Sequence, residues 1–223
     1  MIDKLAYFVK KYCTPIYDVM ERVVGHSVYY CNRRKIDFAV NRAEVIGSVD
    51  GKVAHIRPLE MRDHSELVVF FERISSEHLT FFHPHSFSSI GLARVLAKPY
   101  YLLYGLFVEN AVVGYCVLKL FPGRKTFRGR LVSEDWGGRG VGRFLSKYLN
   151  WQVGLLGFSS RSTISRKNLA SLKSHEIEGH FSVISELPND FILIEFHRID
   201  HPEPPNLLLR GSVCLPIHQG SPD

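Results

Sequence analysis

Four glycines, Gly137, Gly138, Gly140 and Gly142, fall within six consecutive positions. Leu131 and Val132 close an apolar, strand-like run just before them. An amphipathic helix opens just after, with Val141, Phe144, Leu145, Tyr148, Leu149 and Leu155 near the spacing of one buried face. A strand, a glycine turn and a helix N-terminus together make an anion site. Without Cβ atoms the backbone N–H groups converge, and the unpaired amides of the first helical turn carry partial positive charge. Spacing then narrows the ligand. A dinucleotide fingerprint counted from Gly138 and Gly140 needs a third glycine where Arg143 stands. A phosphate loop of the Walker kind is spaced correctly by Gly137 and Gly142, but Arg143 and Phe144 replace its lysine and hydroxyl residue.

A second constellation follows in Asn168, Ser171 and His175. Offsets of three and seven put the three side chains on one face of a helix spanning residues 168–179. The two stretches together resemble the GNAT superfamily of N-acetyltransferases. The loop is similar to the family's acyl-CoA pyrophosphate pattern, [QR]-x-x-G-x-[GA], with Gly137 in place of the usual Gln or Arg. The later helix is similar to N-x-x-[AS]-x-x-x-Y-x-x-x-G-F: Asn168, Ser171 and Gly179 match, while His175 replaces the tyrosine and His180 the phenylalanine.

That resemblance implies acetyl-CoA as co-substrate and a site laid out as follows. The main chain at Leu131 and Val132 would bind the pantetheine arm, and an N–H near Val132 would stabilise the developing oxyanion. The pyrophosphate would rest on Gly137, Gly138, Gly140, Val141 and Gly142, assisted by Arg139 and Arg143. Asn168 and Ser171 would form a wall. His175, at the tyrosine position, would give its proton to the departing thiolate, since an imidazole of ordinary pKa can do so about as well as a phenol. The family often draws its base from a carboxylate on the meander strands, where this chain has Arg128 and Arg130. His83 and His85, in the segment that forms the acceptor-side wall, are the remaining candidates, against a packing role among Phe81, Phe82 and Phe87. No metal is expected, because His83 and His85 have no further ligands at suitable spacing.

The elements that must hold these groups follow from periodicity and turn residues. Residues 2–24 read as two amphipathic helices divided at Thr14-Pro15, and residues 27–31 and 36–40 as strands around a turn at 32–35. A strand begins near His55. Asp63 and Glu66 are spaced as a capping box for a helix carrying Leu67, Phe70 and Phe71, and a second helix runs from Ile90 to Ala97. Residues 100–108 and 111–120 form a hairpin about Glu109-Asn110, and residues 126–132 complete a meander. The glycine-loop helix, a strand at 160–165, the helix at 168–179 and a final hairpin about residues 188–190 follow. The pattern predicts an α/β (α+β) fold with a mixed, mostly antiparallel sheet flanked by helices and splayed at the CoA site. Three divisions are expected: an N-terminal extension over 1–52, a GNAT-like domain over 53–198, and a proline-rich irregular tail over 199–223.

Bulk properties exclude several classes. At 223 residues, 45% hydrophobic and 22% charged, the chain suits one globular domain with trimmings. No apolar run is long enough to span a membrane, and Asp3, Lys4, Lys10 and Lys11 break up any signal-like segment. Four scattered cysteines make neither a disulfide framework nor a zinc site, so a reducing cytoplasm is expected. The net charge of +6 suits an anionic ligand, which CoA provides. A nucleic-acid partner is not expected, since basic residues such as Arg124, Lys125 and Arg128 form no groove-reading motif. The function that follows is N-acetyl transfer to a primary amine of a small polar metabolite such as an amino-sugar nucleotide. Acetylation of a protein N-terminus or lysine, or acyl-CoA binding without turnover, are the alternatives.

Overall fold

In the computed structural model, residues 14–178, 181–197 and 203–209 are described below. Their centre is a nine-stranded sheet in the order β7-β8-β6-β5-β4-β3-β2-β1-β9. Its strands are β1 (Val45–Val49), β2 (Lys52–Pro58), β3 (Tyr101–Val108), β4 (Ala111–Phe121), β5 (Lys125–Val132), β6 (Ser159–Ser165), β7 (Phe181–Leu187), β8 (Phe191–Phe196) and β9 (Leu208–Leu209). The helices are α1 (Thr14–Val40), α2 (His64–Arg73), α3 (Ser76–Leu79), α4 (Ser89–Leu96), α5 (Val141–Leu156) and α6 (Leu169–Glu178). The sheet is mostly antiparallel; only β5 with β6 and β1 with β9 pair in parallel. The fold class and the element order from residue 54 onward are as expected. Among the described residues no helix is long and apolar enough to cross a membrane.

Turn chemistry sets the meander. Glu109 (φ 52°) and Asn110 (φ 86°) both sit in the left-handed region, the conformation whose twist suits a two-residue hairpin between β3 and β4. Every residue of β3 is buried, which makes it a central strand covered on both faces. Two adjacent residues of β4 show what covers them. A Cβ on Gly114 would meet Leu145 of α5 at 3.0 Å, whereas the Tyr115 ring packs edge-on to Phe71 of α2 at 5.2 Å. Adjacent strand residues point to opposite faces, so α5 and α2 lie on opposite sides of the sheet.

The front of the chain differs from expectation. Residues 27–31 and 36–40 are not strands but part of the single 27-residue helix α1. Their β-branched and aromatic residues suggest strands by propensity, yet Gly25, Val28, Ile36 and Ala39 are buried and Asn32 half-buried. That spacing is one helical stripe, and its packing on α5 and β4 overrides local preference. The expected stripe at residues 2–12 lies outside the described residues. The sheet also begins earlier than expected, with β1 paired to β2 about Asp50-Gly51. Part of the tail is ordered too: Leu207 is buried, and Leu208 and Leu209 pair with Ser48 and Val49. Gly47 permits this, because a Cβ there would lie 1.9 Å from the Leu207 carbonyl oxygen. Finally, the Asp63 carboxylate does not cap α2. It takes a two-pronged ion pair from Arg57 (2.7 and 2.8 Å) and the Glu60 N–H (2.9 Å), pinning β2 to the 3-10 turn Met61–Asp63.

Candidate functional site

β5 and β6 are paired only at their starts, Lys125 with Ser159, Thr126 with Ser160 and Phe127 with Arg161. Beyond that they part, and β6 turns to β8 for its hydrogen bonds. From Arg128 to Val132, β5 therefore has no strand paired with it on the β6 side. Ser133 N–H donates to Val113 at 2.9 Å, so by antiparallel alternation Val132 directs its own N–H and C=O away from β4 and into the gap. A cavity of about 740 Å³ fills that gap, walled by β5 residues 128–132, β6 residues 162–165 and one face of α6.

At one end of the cavity is the glycine loop. A short 3-10 turn, Glu134–Trp136, first carries the chain out of β5. Gly138 (φ 72°) and Gly140 (φ 81°) then adopt the left-handed conformation that only glycine enters at little cost. Gly140 is the N-cap of α5, with no side chain to cover the helix end. The first helical bond runs from Phe144 N–H to Gly140, so the amides of Val141, Gly142 and Arg143 have no acceptor within the helix. Leu131, Val132, Gly137, Gly138, Gly142, Asn168 and Ser171 line the cavity as expected. Arg139 does not: it pairs with Asp50 and lies over Trp136 at 4.9 Å. Gly140 and Val141 shape the turn rather than the wall, and the Val141 side chain is in the core. Arg143 is exposed on the first turn, outside the lining.

On α6 the Asn168 side chain accepts from Ser171 N–H at 3.0 Å, so it caps the helix while also facing the cavity. His175 is buried, with Phe181 and Phe196 against its ring. Arg130 donates to its Nε2 at 3.0 Å and to Ser174 Oγ at 2.8 Å. Since a guanidinium only donates, Nε2 is the unprotonated nitrogen and Nδ1 carries the hydrogen. Nδ1 has no hydrogen-bond partner. Burial, reinforced by the positive charges of Arg130 and Arg128, lowers the His175 pKa to about 2. An imidazolium acid, the role expected for His175, is thereby corrected to a neutral ring offering one N–H.

The two other histidines expected at the site are not at the cavity. His85 Nδ1–H donates to Ser86 O at 2.9 Å, and its Nε2 accepts from the buried Tyr115 hydroxyl at 2.6 Å. Both nitrogens are spent, the ring packs among Phe71 and Phe87, and burial holds its pKa below the ordinary value. His83 is exposed and outside the lining. Ser75, Glu77, His78, Phe81, Phe82 and Glu134 also line the cavity. Of these, sequence reasoning missed His78 as a site residue. His78 lies 54 residues from Val132, whose carbonyl it contacts, so no local spacing marks the pair.

The described residues have the fold of solved GNAT-domain structures. Solved structures with this fold superpose on the chain over most of their own length. The GNAT domain of PAT from S. lividans matches with a TM-score of 0.61 at 17% identity, over 70% of this chain and 97% of that one. A ribosomal-protein-S5-alanine acetyltransferase from Vibrio fischeri matches at 0.59 and 16%, over 72% and 100%. The paia N-acetyltransferase from Thermoplasma acidophilum, solved in complex with coenzyme A, matches at 0.54 and 16%, over 65% and 98%. No protein-family model and no curated protein matches the sequence.

Proposed function

We propose that this protein transfers an acetyl group from acetyl-CoA to a primary amine. The observation that carries this reading is the parting of β5 from β6, which opens a cavity with uncovered helix-end amides at its mouth. Those amides, with Gly137, Gly138 and Gly142, suit a pyrophosphate. The outward-facing N–H and C=O of β5 suit the amides of a pantetheine arm, and the Val132 N–H suits a developing oxyanion. The unpartnered Nδ1–H of His175 suits a sulfur leaving with negative charge. Among the described residues, Cys31 and Cys116 are free thiols.

For the acceptor, the cavity argues against the amino-sugar nucleotide suggested by the aromatic, histidine-bearing segment. Its lining includes two carboxylates, Glu77 and Glu134, as well as Phe81 and Phe82. Those suit a cationic amine on a neutral or apolar body, such as a peptide amine, and repel a diphosphate.

Two measurements test the reading. CoA at about 100 times its Kd stabilises a single-site protein by about 2.7 kcal/mol, which for a chain of this size is a rise in Tm of roughly 5–10 °C. No rise at saturating CoA removes the proposal. For His175→Phe we expect an unchanged CoA shift and a kcat lower by roughly tenfold, the worth of one hydrogen bond to a charged acceptor. Because the ring is neutral above about pH 2, the ratio of wild-type to variant kcat stays flat from pH 6 to 9. A ratio that falls through pH 6.5 would show a titrating acid instead.

A further inference from the structure

We propose that the acceptor enters as an ammonium ion between Glu134 and His78, and that His78 Nδ1 takes its proton. This rests on the transfer reaction proposed above and supplies its missing base. Among the described residues lining the cavity, the titratable side chains are Glu77, His78, Arg128, Arg130, Glu134 and His175. The arginines cannot accept a proton, and His175 Nε2 is spent on Arg130. Glu134 is a weakened base, because hydrogen bonds from the Ser75 hydroxyl and N–H hold its pKa below the ordinary carboxylate value. His78 is different. A carbonyl only accepts, so the 3.0 Å contact with Val132 O fixes the hydrogen on Nε2 and leaves a lone pair on Nδ1.

The surroundings of Nδ1 suit a cation. Glu134 Oε1 lies 3.9 Å away, too far for a direct hydrogen bond. One nitrogen at about 2.9 Å from each atom fits across that gap. Ser75 builds the arrangement: its Oγ accepts from His78 N–H at 3.1 Å, and its Oγ and N–H donate to Glu134 Oε1 at 2.5 and 3.2 Å. One residue thus ties the base and its counter-ion together. The anchor of His78 is also the carbonyl of Val132, the residue whose N–H faces the reacting thioester in the proposed reaction. Glu77, on the same short helix α3, adds negative charge at this end, while Arg128 and Arg130 approach from β5 on the His175 side.

The step balances. One proton passes from the ammonium to Nδ1, and the resulting imidazolium pairs with Glu134. The freed nitrogen lone pair forms the N–C bond at the thioester carbon. The C–S bond breaks with its electron pair on sulfur, and a second proton from the nitrogen goes to the thiolate. The products are an amide, a thiol and one proton, which His78 returns to solvent.

His78→Gln is the decisive variant, because Gln Nε2 can keep the donor to Val132 O while deleting the basic nitrogen. The assay is thiol release from acetyl-CoA with an alanyl tripeptide, a lysyl tripeptide and glucosamine. We expect the CoA-induced Tm rise to be retained and kcat/KM to fall at least about 100-fold. Added imidazole should restore turnover in His78→Gly. Glu134→Gln should raise KM for the amine about tenfold with a smaller change in kcat, the mark of lost ammonium binding. His78→Gln with wild-type kcat/KM overturns the assignment while leaving the transfer reaction standing. A wild type that binds CoA but releases no thiol with any of the amines overturns both.

Discussion

Gly142→Ala separates stability from binding at the glycine loop. Gly142 lies within α5, in helical conformation, and the nearest heavy atom to a Cβ there is Val132 Cγ2 at 3.9 Å, an ordinary contact. Alanine is therefore accommodated, and it favours the helix over glycine by about 0.5–1 kcal/mol, a gain of roughly 1–4 °C in Tm. Both Gly142 and Val132 line the cavity, so the new methyl group stands in it, against the amides that would hold the pyrophosphate. Displacing one phosphate oxygen forfeits a charge-assisted hydrogen bond of about 1.5–3 kcal/mol, or roughly 10- to 150-fold in Kd. Calorimetric titration with CoA and a thermal melt of the free protein measure the two effects separately. A higher Tm with an unchanged Kd would refute the pyrophosphate assignment. Gly138 and Gly140 offer no such test, since their positive φ makes any side chain there destabilising by itself.

Two further outcomes follow from the scaffold. Glu21 of α1 accepts hydrogen bonds from Lys98 (2.6 Å), Lys119 and Tyr101 (3.2 Å). Burial raises its pKa, but the two lysines outweigh burial and bring it to about 2. A carboxylate depressed from 4.5 stabilises the fold fully above that value and loses the contribution as pH falls towards 2. Glu21→Gln should therefore cost about 2 kcal/mol at pH 7 in urea unfolding, with the gap to wild type narrowing below pH 4.5; a pH-independent gap contradicts the ion-pair account. Gly47→Ala should cost about 1–3 kcal/mol and release residues 207–209 from β1, because the new Cβ would overlap the Leu207 carbonyl. Faster hydrogen exchange at Ser48 N–H, which donates to that carbonyl, reads the release directly.

The sequence by itself determined the glycine loop, its helix and the meander that leads to them. Glycine density at a helix start, the two-residue turn Glu109-Asn110 and the one-face spacing of Asn168, Ser171 and His175 are local properties, and local geometry carries them into the fold. Three other features depended on tertiary structure. Residues 27–40 look like strands, but their buried stripe has helical spacing only once α5 and the sheet are there to receive it. Arg139 has the right type and place for a phosphate contact, yet Asp50, brought in by the β1–β2 turn, holds it away. The proton-handling groups changed most. His85 is spent on Tyr115, His175 is held neutral by burial and by Arg130, and His78 gains its part from the Val132 carbonyl and the Glu134 carboxylate. A histidine's chemistry is set by what surrounds its two nitrogens, and those neighbours come from distant parts of the chain.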